Sequence, residues 1–277
     1  MTRKSLLQAS PPYETLEISA RDPGFLVVAL NRPDRHNAFN ETVVRELREV
    51  FDLAGGDPEI RGVLLQGHGP SFSAGADISW MKANGEGNRE ANLVSARRMA
   101  DMFEAVHSCP KPVVARVHGA ALGGGAGLLS AADIAIATED AKIGFTEVRL
   151  GILPAVISPY VVEKIGTARA RALFLLGRRF DGREARRLGL VFDAVPEAEL
   201  DASIDRALAD LTKGGPHALR EAKRLALSFL GESYAARRED TAARIADIRL
   251  SEEAQEGLAA FLEKRPPNWV RKTEGGR

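Results

Sequence analysis

The chain carries a single cysteine, Cys109, in 277 residues. One cysteine excludes an intrachain disulfide and any CxxC metal or redox motif, and it fits a reducing, cytoplasmic setting. An excess of one charge is missing as well. Lys+Arg and Asp+Glu each number 38, so the chain as a whole has no electrostatic pull toward nucleic acid or an anionic membrane, although a local basic patch stays open. Long apolar runs are also lacking. No window approaches the roughly 20 apolar residues of a membrane span. The apolar stretch in the N-terminal MTRKSLLQASPPYE is too short for a signal sequence. No P-loop, HExxH or GxSxG occurs. The run Gly125 to Ser130 falls short of a dinucleotide fingerprint: its last position is Ser, and Gly119 to Leu122 separate it from the strand it should follow. No repeat of fixed period and no low-complexity tract is present.

What is there suits a soluble α/β protein. Hydrophobic residues make up 44% of the chain, enough for a substantial core in one large domain with or without an appendage. Leu16 to Ser19 and Phe25 to Leu30 read as strands around the turn Arg21 to Gly24, a hairpin. Asn31 to Asn37 is a polar loop. Asn40 caps a helix running to Ala54, with Val43, Val44, Leu47, Val50 and Phe51 at helical spacing. Gly62 to Gln66 is the next strand. A Gly- and Ser-rich loop, His68 to Asp77, continues through Ser79 to Lys82, and Gly85 to Asn88 reads as a mobile linker. A long helix is predicted from Arg89 to His107. Val113 to Val117 and Ile134 to Thr138 are buried strands flanking a small-residue helix, Ala126 to Ala132. Alternation of this kind implies parallel strands joined by crossovers. Beyond Pro154 the pattern is mostly helical: Ile157 to Ile165, Thr167 to Leu176, and Arg183 to Leu188 capped by Asp181. Four more helices follow, Leu200 to Leu211, Pro216 to Phe229, Ser233 to Leu250 and Glu252 to Glu263. A soft boundary near Val195 divides residues 1–195 from 196–277.

Chemistry concentrates between Lys111 and Pro154. A helix N-terminus has backbone N–H groups without intrahelical partners and favours negative charge. Glycines clear side chains from the approach. Gly123 to Gly125 thus offer bare donors to an oxygen that becomes negative during a reaction. Taken alone, the triplet has a plainer reading, close packing of a helix on a strand. Ser73 to Asp77 is a second candidate donor loop, which alone reads as a polar turn. An oxyanion hole needs two converging N–H groups, and convergence is invisible in the sequence. Other polar residues have structural readings. Asp77 bonds nearby N–H groups of its loop, and Asp133 tethers a strand start. His118 and His36 are turn and loop contacts, Glu139 and Asp140 a solvated turn, and Glu163 a surface residue of a helix. Unaided, Glu147 is a helix-start carboxylate.

Four segments resemble the crotonase superfamily, also called enoyl-CoA hydratase/isomerase. They are Asn31-Arg32-Pro33 through Asn37-Ala38, SFSAGADISWM (Ser71 to Met81), KPVVARVHGAALGGG (Lys111 to Gly125) and GFTEVRLGILP (Gly144 to Pro154). AFLEKRPPNW (Ala260 to Trp269) resembles the family's C-terminal end. SAGADISWM and ILPAVISPYVV are most similar to bacterial methylglutaconyl-CoA hydratases of leucine breakdown and their isohexenylglutaconyl-CoA relatives in terpene breakdown.

The resemblance implies an α/β fold, a crotonase-like spiral of repeated ββα units over residues 1–195 with a helical C-terminal trimerisation region over 196–277. It also implies a homotrimer or a dimer of trimers. It places the oxyanion hole on the N–H groups of Ala76 and Gly124, and proton transfer on Glu147. It marks Arg35, Ala38, Ala74, Asp77, Ile78, Gly125, Phe261 and Lys264 as substrate- or CoA-binding positions, the last two at the adenine end and sometimes in a neighbouring subunit. Two-glutamate hydratases carry a second Glu where this chain has Gly127. Bacterial methylglutaconyl-type relatives resemble this chain in having a small residue there. The expected partner is an acyl-CoA, with coenzyme A as part of the substrate and no metal or other cofactor. The expected activity is hydration of an enoyl-CoA. Isomerisation of the double bond, or non-catalytic binding of acyl-CoA or RNA, are the alternatives. Trp80, Met81, Met99, Phe103 and Ile157 are candidates to face the acyl tail.

Overall fold

Leu16–Arg21 (β1) and Phe25–Leu30 (β2) pair antiparallel as the predicted hairpin. In the computed structural model, which describes residues 13–85, 87–229 and 234–270, this hairpin opens a six-stranded sheet. Gly62–Gly67 (β3), Val113–Val117 (β4), Ile134–Thr138 (β6) and Asp193–Val195 (β9) follow β2 in that order, all parallel. Alternate side chains point to opposite faces of such a sheet. Leu26, Val28, Leu30, Val63, Leu65, Val113 and Ala115 therefore join one large core, while Phe25, Val27, Leu64, Val114 and Ile136 join a smaller one.

Helices cover both faces. Glu41–Gly56 (α1) begins where Asn40 Oδ1 accepts the Val43 N–H at 2.9 Å, the cap its sequence predicts. Its apolar stripe, Val43, Val44, Leu47, Val50 and Phe51, enters the large core. It packs against Arg89–Ser108 (α3), capped by Asn88 through the Ala91 N–H. The smaller core is closed by Leu200–Lys213 (α7), through Leu200, Ile204 and Leu208. Leu200–Lys213 thus forms one layer of the sheet's packing.

A second sheet of three short strands carries the site. Ala120–Leu122 (β5) pairs parallel with Lys142–Gly144 (β7), and β7 pairs antiparallel with Arg179–Phe180 (β8). Gly124–Ala131 (α4) starts directly after β5. Residues Gly119 to Leu122, read as a mere spacer, hold a strand of their own. A second correction concerns Ser79 to Lys82, predicted as loop: they lie in a helix, Ile78–Gly85 (α2). Asp77 starts it, its Oδ1 accepting the Ser79 N–H and its C=O the Met81 N–H. Of the predicted linker Gly85 to Asn88, Gly85 ends α2 and Asn88 caps α3, while residue 86 lies outside the described residues.

Ser158–Leu176 (α5) breaks at Gly166, whose φ is 75°, where the two predicted helices were separated. Gly182–Leu188 (α6) is capped by Asp181 and ended by left-handed Gly189. Pro216–Ser228 (α8), Tyr234–Arg249 (α9) and Glu252–Leu262 (α10) are the last helices among the described residues, the predicted start at Ser233 lying outside them. Arg61 fastens this end to the core: its guanidinium donates to the carbonyls of Trp269, Thr212 and Gly214 at 2.8, 2.9 and 3.0 Å. No helix among the described residues is long and apolar enough to cross a membrane.

Candidate active site

Three loops, at the carboxyl ends of β2, β3 and β4, meet in one place. Asn37 ties the first to the second. It is buried, sits in the left-handed region at φ 55°, and spends its whole amide on backbone. Its Nδ2 donates to the carbonyls of His68 and Ser71 at 2.8 and 2.7 Å, and its Oδ1 accepts the Arg32 N–H at 2.9 Å. Ser73 Oγ returns a hydrogen bond to the Asn37 carbonyl at 2.8 Å. The second loop then ties to the third: Ser73 N–H donates to Ala120 O, and Leu122 N–H to Ser73 O.

These ties force the two glycine-bearing bends together. Gly75 has φ +89°, and a Cβ there would lie 2.6 Å from Leu122 O and 3.1 Å from Gly124 N. Only glycine gives both that backbone conformation and that approach. Phe39 N–H donates to Gly75 O and Asp77 N–H to Phe39 O, a parallel bridge that leaves the Ala76 N–H out. Gly124 is the first residue of α4, so its N–H has no intrahelical acceptor. Among the described residues, neither N–H donates to any protein group.

Glu147 opens a 3-10 turn, Glu147–Leu150, just past β7. Its Oε1 lies 3.3 Å from where a Cβ on Gly123 would be, so the carboxyl stands over the start of α4. Its Oε2 is buried without a hydrogen-bond partner. Burial pushes its pKa above the ordinary glutamate value, against a smaller lowering from its own backbone N–H. Gly144 fixes the spacing, since its carbonyl accepts the Gly123 N–H at 2.8 Å.

A cavity of about 320 Å³ is common to these groups. Ala74, Gly75, Ala76, Ile78 and Met81 form one wall, Leu122, Gly123 and Gly124 the floor, and Thr146, Glu147, Arg149, Leu150, Ile152 and Arg179 the other wall. A groove of about 350 Å³ runs between α8 and α9, lined by residues such as Ala218, Leu225, Ile245 and Ile248. It holds none of the predicted site residues. The unused donors and the unpartnered carboxyl, rather than size, single out the smaller cavity.

The structure therefore gathers Ala76, Gly124, Glu147, Ala74 and Ile78. It does not bring the remaining predicted residues to this cavity within one chain. Arg35 is exposed on the 3-10 turn Pro33–Arg35. Ala38 is buried, and its carbonyl accepts from Arg32. Gly125 lies behind the floor, where a Cβ would meet Ser73 O at 2.2 Å. Asp77 holds the Ser79 and Trp80 N–H groups and the Arg32 guanidinium. Burial works to raise its pKa, but those bonds prevail and hold it below the ordinary value. Phe261 and Lys264 stand exposed at the end of α10.

Of the acyl-tail candidates, only Met81 lines the cavity. Phe103 and Ile157 are buried in the core, and Trp80 and Met99 pack against it. Ile157 has a different part: a Cβ on Gly127 would lie 2.3 Å from its Cγ2 and 3.0 Å from Phe103 Cε1. The space a second glutamate would need is thus filled. Asp133 accepts the Val113 N–H at 2.7 Å, the strand tether expected of it. His118 bonds Gly69 O and His36 bonds Ser71 Oγ, both within the loop scaffold. Glu163 is exposed on its helix, as expected of it, with its Oε2 3.3 Å from His107 Nε2. Asn37, Ser73, Arg149 and Arg179 were not singled out. The signal available for Asn37 was an Asn beside His in a loop between apolar runs, a residue type that tolerates φ > 0. Among the described residues, no group of three or more His, Cys, Asp or Glu side chains is placed to hold a metal ion.

Comparison with known proteins agrees with this architecture. The family model described as enoyl-CoA hydratase/isomerase matches residues 21–272. A Bacillus subtilis protein named "Probable enoyl-CoA hydratase" is 36% identical over 252 residues, covering 90% of this chain and 96% of that protein. The crystal structure of an enoyl-CoA hydratase from Shewanella pealeana superposes with a TM-score of 0.90 at 37% identity, covering 97% of this chain and all of that one, 100%. AtuE from Pseudomonas aeruginosa gives 0.89 at 38% identity, covering 93% and 100%. The chain belongs to the enoyl-CoA hydratase/isomerase, or crotonase, family, and its fold is the crotonase fold of two sheets followed by C-terminal helices.

Proposed function

We propose that the protein adds water across the 2,3 double bond of an enoyl-CoA thioester. The observation that carries this reading is the pair of unused N–H groups, on Ala76 and Gly124, facing one cavity with the unpartnered carboxyl of Glu147. The thioester oxygen accepts from both N–H groups. As water attacks the β carbon, charge builds on that oxygen as an enolate, and the donors hold it more strongly than in the ground state. Glu147, as carboxylate, takes a proton from the attacking water and then delivers one to the α carbon. Water is consumed, the C=C bond becomes a single bond, and the product is a 3-hydroxyacyl thioester. A buried glutamate with a raised pKa suits both halves of that exchange, because it is a stronger base than an exposed one.

Glu147→Gln keeps the shape and removes the base. The variant should fold with the wild-type circular dichroism spectrum and lose roughly 10²- to 10⁴-fold in turnover of a 2-enoyl-CoA. Wild-type turnover in the folded variant refutes Glu147 as the base.

The filled space at Gly127 favours a second reading. A site with one carboxyl also suits moving a double bond from position 3 to position 2. Separate assays with 3-enoyl- and 2-enoyl-CoA, the latter followed for water addition, discriminate the two. At finer grain, the SAGADISWM and ILPAVISPYVV segments support a 3-methylglutaconyl or isohexenylglutaconyl thioester as substrate. The family resemblance supports a trimer or a dimer of trimers, with residues 196–277 contributing. Sedimentation of purified protein tests the assembly.

A further inference from the structure

The two backbone donors of the cavity differ in what stands behind them. The Gly124 N–H shares a peptide group with the Gly123 carbonyl, which accepts the Gly127 N–H at 2.9 Å in the first turn of α4. That donor therefore lies at the positive end of a helix. Ala76 precedes α2, where the Asp77 carboxylate already stands at the helix start, its Oδ1 accepting the Ser79 N–H at 3.0 Å. The pKa of Asp77 is held below the ordinary value, so the group is negative near neutral pH. A negative charge one residue from the Ala76 donor opposes charge on any oxygen that the donor holds.

A chain of peptide groups leads from Arg32 to that same donor. The Arg32 guanidinium donates through Nη1 to the Ala38 carbonyl. That carbonyl and the Phe39 N–H belong to one peptide group, and the Phe39 N–H donates to the Gly75 carbonyl at 2.7 Å. The Gly75 carbonyl and the Ala76 N–H belong to the next. Each hydrogen bond in such a chain polarises the one after it, and a cation at the head makes the terminal N–H a stronger donor. Arg32 Nη2 lies 3.4 Å from Asp77 Oδ2. One guanidinium thus heads the chain and also offsets the carboxylate beside its end. The Arg32 and Asp77 side chains are only 19% and 16% exposed, so water and salt screen neither effect strongly.

We rest on the reading of Ala76 and Gly124 as donors to a thioester oxygen, and we infer that Arg32 is a positioning residue of the reaction. It aims and polarises the Ala76 N–H through two peptide groups and offsets the charge of Asp77 at the thioester oxygen. The helix behind Gly124 and the guanidinium behind Ala76 are then two sources of the same positive potential. The contribution of Arg32 grows with the charge on that oxygen, so it falls on kcat more than on KM.

Infrared difference spectra of bound butanoyl-CoA, with and without ¹³C at the thioester carbonyl, read the strength of those hydrogen bonds in purified full-length protein. Butanoyl-CoA has no double bond to hydrate, so the spectrum does not depend on turnover. Binding to the wild type should move the carbonyl stretch below its frequency in solution. In Arg32→Gln that downshift should shrink by roughly a quarter or more, and kcat for a 2-enoyl-CoA should fall roughly tenfold with KM within about twofold. Arg32→Lys keeps the charge and should keep most of the downshift. Adding Asp77→Asn to Arg32→Gln should recover part of the loss, because the uncompensated carboxylate is gone. If Arg32 only braced the loop, removing a second tie would deepen the loss instead. Asp77→Asn alone leaves Arg32 in place and should keep or increase the downshift. A wild-type spectrum in Arg32→Gln, a deeper loss in the double variant, or a smaller downshift in Asp77→Asn overturns the inference. No downshift in the wild type overturns the reading of the two donors and the inference with it. A downshift without hydration of any enoyl-CoA ends the hydratase reading alone and leaves the Arg32 comparison to be decided by the spectra.

Discussion

Putting a side chain on Gly127 sets two known effects against each other. Alanine inside a helix is favoured over glycine by about 1 kcal/mol, and Gly127 lies within α4. Against this, the new Cβ would stand 2.3 Å from Ile157 Cγ2, 2.9 Å from Ile157 Cβ and 3.0 Å from Phe103 Cε1, all in the buried core. Overpacking of that kind costs about 1–3 kcal/mol. The clash wins or draws, so Gly127→Ala should be destabilised by up to about 2 kcal/mol. Gly127→Glu should be worse, since it adds a carboxylate to the same filled space. Ile157→Leu removes the offending Cγ2 at similar volume. The pair Gly127→Ala/Ile157→Leu should therefore be more stable than the sum of the single changes predicts, with a coupling of about 1 kcal/mol. Urea unfolding of the four proteins measures this directly. If Gly127→Ala alone is stabilised by the full helix-propensity gain, or if the two changes simply add, Ile157 does not fill the place of the second carboxylate.

Three further outcomes follow from the site. Burial raises the folded-state pKa of Glu147, so the folded protein binds that proton more tightly than the unfolded chain. The ionised group therefore costs stability. Glu147→Gln should match the wild type at a pH below the ordinary glutamate range and become the more stable of the two as pH rises through that range to the raised value; thermal melts across pH that show a shrinking gap would contradict this. Gly75→Ala combines φ +89° with a Cβ 2.6 Å from Leu122 O, spreading the two donor bends. Turnover should fall roughly 10²-fold, as when one oxyanion donor is lost, and wild-type kinetics would refute the convergence. Asn37→Ala removes three side-chain hydrogen bonds from buried loops, costing about 3 kcal/mol and on the order of 10 °C in Tm. An unchanged melting temperature would mean that the knot does not hold the loops.

Much of the framework was legible because its causes are local. Asn40 and Asp181 read as caps because a short polar side chain before an apolar period has one obvious use, and Gly166 and Gly189 read as breaks because few other residues reach φ > 0. The short strands β5, β7 and β8 were not legible. With two or three residues each, they show no period, and they exist because other segments pair with them. The helix after Asp77 was missed for a related reason, since its start signal sits at the end of a Gly- and Ser-rich run. The acidic residue and the two donor bends were visible as types. Their meeting was not, because it depends on Asn37, Ser73 and Gly144 tying distant segments together. Phe103 and Ile157 were assigned to the acyl tail for being large and apolar, a property that core packing explains equally well.

The ties through Asn37 and Ser73 carry a consequence for assembly of the molecule. They join the ends of strands that lie in three successive turns of the chain, so the cleft exists only where all three loops are docked together. A partly folded chain would display the same residues with no cleft between them. A thioester that settles there would stabilise the finished protein and nothing before it, by an amount that grows with ligand concentration. Occupancy of that cleft, titrated during refolding, would count completed molecules.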